Sequence, residues 1–317
     1  MTASGHSALA GSLLVLGAAA LWATFGLFAK ALYARGYAPL ELASVRAFVG
    51  LTGIALFALR QPRALRIRTR DLPFFAFYGI IGFALFELLY FFALERMPVS
   101  VAAALLYTAP AFVLVLSRMF LAEPIDRLGV AALALLLCGV VLVTGAAHAM
   151  ATGQVHVTPL AALLGLASGL TYGIYTLASK LSLRRTGPTG AVFWSFLFAT
   201  AVLAIAAPPH DALLRDARSL PLLLGLGIVP TLLAYGLYLR GLTFLHATTA
   251  AMIASVEPVI AAVLGALFLA ERVSADQALG VLAIVAGAAL ASRRERRVES
   301  EAPTIGSSSR ARKRPRP

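Results

Sequence analysis

The sequence predicts an all-α polytopic membrane protein, with ten transmembrane helices arranged as two inverted five-helix repeats. Three observations predict it. Apolar residues make up 60% of the chain and charged ones 13%, far from the balance of soluble domains. The charges gather in short patches, and the runs between them approach the roughly 17–25 residues that cross a bilayer. A β-barrel would instead show strictly alternating segments of about ten residues. Second, the chain contains its own copy: Pro98–Glu123 aligns without a gap on His246–Glu271, 148 residues later, with 9 identities in 26. Third, the basic residues fall on alternate sides of the successive apolar runs.

Taken in order, the spans are expected at about Leu9–Lys30, Pro39–Leu59, Leu72–Leu94, Ser100–Leu121 and Leu128–Thr144. The second half continues at about Pro159–Leu181, Thr189–Ala207, Leu220–Leu242, Ala247–Leu269 and Ala278–Ser292. Residues 1–8 carry no Lys or Arg, which argues against a cleaved signal peptide and keeps the first run as a helix. The join Gly145–Thr158 has two histidines and no Lys or Arg. It divides a first repeat, 1–147, from a second, 148–292, ahead of a basic tail at 293–317 that is expected to be disordered.

The doubling reaches beyond the opening stretch. Pro110 falls on Pro258, and Phe120-Leu-Ala-Glu123 on Phe268-Leu-Ala-Glu271. Trp22 falls on Tyr172, Glu87 on Tyr235, and Tyr90 on Tyr238. Five helices per repeat is an odd number, so the halves must be inverted in the membrane. With both termini inside, 20 basic residues lie inside, 6 lie outside, and Arg46 lies within a span. This is the asymmetry of the positive-inside rule.

The formal charge of +13 does not indicate nucleic-acid binding, because nine of the 27 Lys and Arg residues come after Ala291 and most others flank apolar runs. The tail basics, Arg310 to Arg316, suit contact with anionic lipid or simply fix orientation. Cys138, the single cysteine, excludes a disulfide framework and a cysteine metal site; a small buried or lipid-facing role is expected. No Walker A or zinc-protease motif occurs, and nothing pairs a nucleophile with a base, so no enzyme activity and no cofactor are expected.

Inverted halves are the architecture of many secondary transporters, which place the substrate at the repeat interface near the midplane. In these residues the chain resembles the ten-span EamA branch of the drug/metabolite transporter superfamily. The resemblance covers about residues 9–292. It rests on Leu21-Trp22, Arg46, Pro110 with Leu121-Ala-Glu123, Glu257-Pro258, Leu269-Ala-Glu271-Arg272 and the Gly280…Gly287 spacing. In the first half Gly129 and Gly139 stand ten apart, a departure from that spacing. The resemblance implies an alternating-access carrier that exports amino acids or related metabolites, with helices 5 and 10 at the back of the bundle. The aromatic-amino-acid exporters of the branch are an expected near relative. A facilitative uniporter or importer of another metabolite, and a non-transporting scaffold or sensor, are the alternative readings. The expected partners are a small molecule, membrane lipid and protons as coupling ion. A monomer in the cell (inner) membrane with both termini cytoplasmic is expected.

Candidate site residues are the ionisable groups inside spans, which are expensive there and mark function or structural pairing. Glu87 is read as a binder of a substrate amine or proton, as a structural partner, or as a group near the outer interface. Glu257 precedes Pro258, which cannot donate a helical hydrogen bond. It is read as a substrate or proton site or as a structural hydrogen bonder. Arg46 keeps its charge: it bridges the bundle, binds a substrate carboxylate, or reaches toward water. The aromatic candidates are Trp22, Phe25, Tyr78, Tyr107, Tyr172, Tyr175, Trp194, Tyr235 and Tyr238, each read as cavity lining, as packing or as part of an interfacial belt. Pro110 and Pro258 are expected helix breaks. Glu123 and Glu271 are expected in capping or gating roles.

Overall fold

A computed structural model of the chain describes residues 3–146, 157–269 and 274–301. Among these, nine helices are long and apolar enough to cross a membrane. They are α1 (Ser7–Tyr33), α2 (Pro39–Ala58), α3 (Thr69–Leu94), α4 (Val99–Phe120), α6 (Pro159–Ser182), α7 (Pro188–Ala206), α8 (Leu220–Leu242), α9 (Ala247–Phe268) and α10 (Ala275–Val298). Between α4 and α6 lies α5 (Arg127–Val143), of 17 residues. At 1.5 Å per residue it is about 26 Å long, just short of the ~30 Å hydrocarbon core. The protein is thus an all-α, multi-pass membrane protein.

Local sequence sets the helix starts. Asp126 caps α5 by accepting from Gly129 N at 2.7 Å, and Thr158 caps α6 through Ala161 N. Proline stands in the first turn of α2, α6 and α7, where its missing N–H is not needed. The turn from α1 to α2 uses Gly36 at φ 82°, a backbone conformation that costs glycine nothing.

Hydrogen bonds sort the loops into two ends. At one end the α1–α2 and α7–α8 connections meet: Tyr37 donates to the Ala212 carbonyl, and Arg215 pairs with Glu41. At the other, the α2–α3 loop is joined to the α6–α7 turn by Thr186 to the Ala64 carbonyl at 3.1 Å and by Arg185 to Asp71 at 2.6 Å. This second, arginine-rich end also gathers Glu123, Lys180, His246 and Glu295 around one pocket.

Helix α5 packs chiefly along α10. A Cβ on Gly139 would stand 2.8 Å from the Gly280 carbonyl, and one on Gly280 would stand 2.6 Å from Val143 N. Small residues permit this backbone approach, which is how membrane helices associate without a hydrophobic drive. Cys138 faces outward from α5.

The last helix differs from expectation. It does not stop near Ser292 but continues to Glu301, with Arg294 and Glu295 buried. The helix can carry these charges because each is paired. Arg294 binds Asp126 at 2.8 Å and the Pro124 carbonyl, and Glu295 accepts from His246 and Thr249. Glu271, Arg272 and the tail beyond Glu301 lie outside the described residues, as does most of the join between the halves.

Three helices are broken in ways that matter for the site. Helix α4 divides into Val99–Leu106 and Ala109–Phe120, and α9 into Ala247–Ala254 and Glu257–Leu269. The boundaries recur at the same 148-residue offset as the sequence repeat. Pro110 and Pro258 each sit second in the segment after the break, the position proline tolerates. Helices α3 and α8 carry wide π-type turns at Tyr78–Leu85 and Ile228–Leu233, again repeat mates. Helix α1 breaks at Thr24, whose hydroxyl turns back to the Leu21 carbonyl at 2.6 Å.

Candidate functional site

The breaks and wide turns surround a cavity of about 160 Å³. That is smaller than the ~300–1,000 Å³ of pockets for drug-sized ligands but equal to several water volumes of ~30 Å³. Its walls include Trp22 and Phe25, on either side of the α1 break, and Arg46 from α2. Helix α3 contributes Phe86, Glu87, Tyr90 and Phe91, just past its π-type turns, and α4 contributes Ala103, Leu106 and Tyr107. Tyr172 of α6, Tyr235 of α8 and Glu257 of α9 complete it. A π-type turn holds extra residues, and each one rotates the rest of the helix by roughly 100°. That rotation is what aims Glu87 inward.

Arg46 and Glu87 form a buried salt bridge, their side chains 8% and 4% exposed. The same guanidinium nitrogen reaches the Tyr235 hydroxyl at 3.5 Å. Glu87 and its repeat mate Tyr235 therefore converge on one arginine. The guanidinium lies over Phe25 at 5.1 Å and Phe83 at 5.7 Å, distances at which cation–π attraction operates. Among the described residues, two donors at the cavity are buried without a protein partner: Arg46 Nε and Trp22 Nε1. Glu257, first in its half of α9, retains some surface toward the cavity. It faces the Tyr107 hydroxyl, and Arg46 is close enough to interact through charge. Arg46 and Glu87 neutralise each other, so an ionised Glu257 gives the cavity a net negative charge.

Toward the arginine-rich end an aromatic layer closes the cavity. Tyr235 is its hub, at ring distances of 5.1 Å from Trp22, 5.2 Å from Phe83, 5.5 Å from Tyr175 and 5.5 Å from Phe196. Tyr78 stacks near Tyr175 and shares a 2.8 Å hydrogen bond with Ser179, and Tyr238 donates to Thr176.

Of the residues singled out from sequence, the cavity brings together Trp22, Phe25, Arg46, Glu87, Tyr107, Tyr172, Tyr235 and Glu257. Tyr78, Tyr175 and Tyr238 do not line it; they belong to the layer beneath. Trp194 does not line it either. It sits two turns into α7, where its Nε1 donates to the Leu65 carbonyl at 3.0 Å and pins the α2–α3 loop. Phe86, Tyr90 and Phe91 are wall residues not proposed as such from sequence. Tyr90 had a signal, its alignment with Tyr238, but its facing depends on the π-type turns.

A second polar cluster holds the arginine-rich end together. Ala122 at φ 57° turns Glu123 back toward the start of α9. Its carboxylate accepts from Ala247 N, Thr248 N and Thr248 Oγ1 at 2.7, 3.1 and 2.8 Å. An acid there satisfies orphan amides and the helix dipole together. Lys180 Nζ donates to the Leu242 and Leu245 carbonyls at 2.7 and 2.6 Å. His246 hydrogen bonds Glu295, which raises the imidazole pKa above its ordinary value against the opposing effect of burial.

Known proteins agree with this architecture. The profile of the EamA-like transporter family matches residues 9–145 and 159–293. The threonine/homoserine exporter RhtA of Salmonella typhimurium (strain LT2) is 29% identical over 256 residues, covering 79% of this chain and 82% of that protein. Its Escherichia coli K12 counterpart is 28% identical with the same coverage. An uncharacterized transporter of Archaeoglobus fulgidus is 29% identical over 216 residues, 67% of this chain and 75% of its own. A solved crystal structure superposes with a TM-score of 0.75 at 22% identity, covering 91% of this chain and 98% of that one, which speaks to fold alone. With a fold of membrane-crossing helices, a central cavity lined by buried charges and a profile match over most of its length, the chain belongs to the EamA-like transporter family of secondary carriers for small metabolites.

Proposed function

We propose that the protein exports small amino acids, exchanging each one for a proton at Glu257. The observation that carries this reading is the convergence of Arg46, Glu87 and Glu257 on one small cavity. Glu87 is already engaged by Arg46. Among the described residues Glu257 has only the Tyr107 hydroxyl beside it as a hydrogen-bonding side chain, so it is the acid that can take either a substrate ammonium or a proton. A single carboxylate cannot hold both, and mutual exclusion at one group is what exchange requires. The unpartnered Arg46 Nε and Trp22 Nε1 suit the carboxylate end of the same molecule. The named exporters of threonine and homoserine at 28–29% identity support a small, polar amino acid, and so does the cavity volume.

Alternating access is the motion expected of ten spans in two inverted repeats, residues 1–147 and 148–292, with both termini cytoplasmic. The two stretches matched by the family profile, the shared offset of the helix breaks and the charge asymmetry support that arrangement. The aromatic layer around Tyr235 then seals the cytoplasmic side, leaving release toward the outside.

The test is counterflow in liposomes, with labelled threonine, phenylalanine, methionine and a nucleotide sugar. Threonine flux that responds to an imposed pH gradient is expected, with the gradient dependence lost in E257Q. Flux of none of a broad panel of metabolites would refute transport as proposed. Threonine flux indifferent to pH in the wild type would leave a facilitative carrier and remove Glu257 from coupling.

A further inference from the structure

We propose that the groove between the start of α3 and the end of α6 binds the phosphate headgroup of an anionic membrane lipid. The groove has a volume of about 740 Å³, and Arg66, Arg68, Arg70, Arg184 and Arg185 line it together with Asp71 and Ile67. These arginines come from segments more than a hundred residues apart, and only the fold gathers them. Asp71 is the one carboxylate on the groove among the described residues, and Arg185 takes it at 2.6 Å while lying 4.0 Å over the Phe74 ring. Among the described residues, no carboxylate on the groove balances the other four. Guanidinium forks match phosphate oxygens in pairs.

A solvated basic loop would be the plainer account, but this loop is fixed at both sides of the arginine run. Thr186 holds the Ala64 carbonyl, Trp194 holds the Leu65 carbonyl and Arg185 holds Asp71. A loop backbone already held in place loses less entropy on binding, which favours a site over a diffuse field. A lipid is the occupant favoured over a soluble phosphate because of what borders the groove. Ile67 lines the groove itself, and within seven residues of its lining along the chain Leu59, at the end of α2, and Phe77, near the start of α3, are 75% and 49% exposed. They offer acyl chains an apolar flank beneath the charges. The helices α3 and α6 also come from the two different stretches matched by the family profile. A headgroup seated here therefore ties the two halves together at the end where the cavity is sealed.

The full-length protein in detergent, titrated with phosphatidylglycerol or phosphatidylcholine and read by native mass spectrometry, tests this. One phosphatidylglycerol is expected to be retained at about tenfold lower concentration than phosphatidylcholine, because its net negative charge meets the arginines that the zwitterionic headgroup leaves unbalanced. R66Q/R68Q/R70Q should abolish that preference. R118Q/R127Q/R240Q removes the same charge from exposed positions at the same end and should keep it. If the first triple variant fails to melt cooperatively, R184Q/R185Q replaces it with the same expectation. Three outcomes overturn the proposal: no preference in the wild type, equal loss in the control variant, or displacement of the bound lipid by 10 mM inorganic phosphate, which would make the groove a soluble-anion site.

Discussion

Replacing Glu87 alone is expected to destabilise the protein more than replacing Glu87 and Arg46 together. Both side chains are almost fully enclosed, at 4% and 8% exposure. Breaking such a pair from one side strands a charge and costs roughly 3–5 kcal/mol. The surroundings of Arg46 soften that cost. Tyr235 Oη lies at 3.5 Å, and the Phe25 and Phe83 rings contribute about 0.5–1 kcal/mol each as cation–π partners. The lower end, about 3 kcal/mol, is therefore expected for E87Q. Exchanging the whole pair for apolar groups, as in R46M/E87L, is expected within about 1 kcal/mol of wild type, since buried pairs are often replaceable by well-packed hydrophobes. Reversible unfolding in mixed detergent, measured across the wild type, R46M, E87L and the double variant, gives the coupling by a double-mutant cycle. A coupling of about 2 kcal/mol or more is expected. A value under about 0.5 kcal/mol, the range in which independent sites simply add, would refute the view that this pair holds α2 to α3.

The remaining predictions concern packing and the arginine-rich end. G280A places a methyl 2.6 Å from Val143 N and 2.7 Å from the Gly139 carbonyl; backbone cannot yield there, and a loss of about 1–3 kcal/mol in the same unfolding assay is expected. E123A strips three hydrogen bonds from the start of α9 and should cost about 1–2 kcal/mol, as lost caps do. A122G relieves a non-glycine residue at φ 57° and should stabilise by up to about 1 kcal/mol; a destabilisation would show that the methyl packs. The His246 imidazole has a folded pKa raised first by its Glu295 hydrogen bond, with burial opposing and the Glu295 and Glu123 charges assisting. Its contribution is thus complete below the unfolded value of about 6.5 and lost as pH rises through the raised folded value. Melting temperatures from pH 6 to 8.5 should fall for the wild type, and H246Q should flatten that part of the slope.

The bundle was legible in the sequence because its signals are long and redundant. Nine span expectations fall within a few residues of helices because a bilayer forces each crossing to be apolar for about twenty residues. The tenth, α10, overran its expected end because Arg294 and Glu295 read as tail. Nothing local shows that Asp126 and His246, over 150 and about 50 residues away, wait to pair with them. The site was legible by residue type more than by position. Ionisable groups in apolar runs named Arg46, Glu87 and Glu257, whose meeting is long-range. The aromatics divided differently from expectation, since facing depends on phase. A straight helix through α3 would phase Tyr78 and Glu87 at 3.6 residues per turn, whereas the π-type turns between them reset that phase. Trp194 read as a cavity residue by its type and serves a loop instead.

The repeat explains more of the site through its differences than through its symmetry. The shared offset supplies the scaffold: paired breaks in α4 and α9, paired wide turns in α3 and α8. Were the halves chemically identical, the cavity would hold two equal acids, or none. Divergence at two mate pairs changes this. At the pair formed by Glu87 and Tyr235, one half gives Arg46 a countercharge and the other gives it a neutral hydroxyl at 3.5 Å, so the arginine is neutralised once. At the pair formed by Ala109 and Glu257, the first half buries a methyl and the second places a carboxylate on the cavity wall. One salt bridge plus one additional acid leaves a single carboxylate outside the ion pair at the break, the group proposed for exchange. A109E, which restores symmetry at α4, should therefore add a second acid at the α4 break, two residues from the cavity-lining Tyr107. In the liposome assay it should shift preference from zwitterions toward substrates with more positive charge. Unchanged selectivity in a folded A109E protein would mean that the α4 break does not face the substrate.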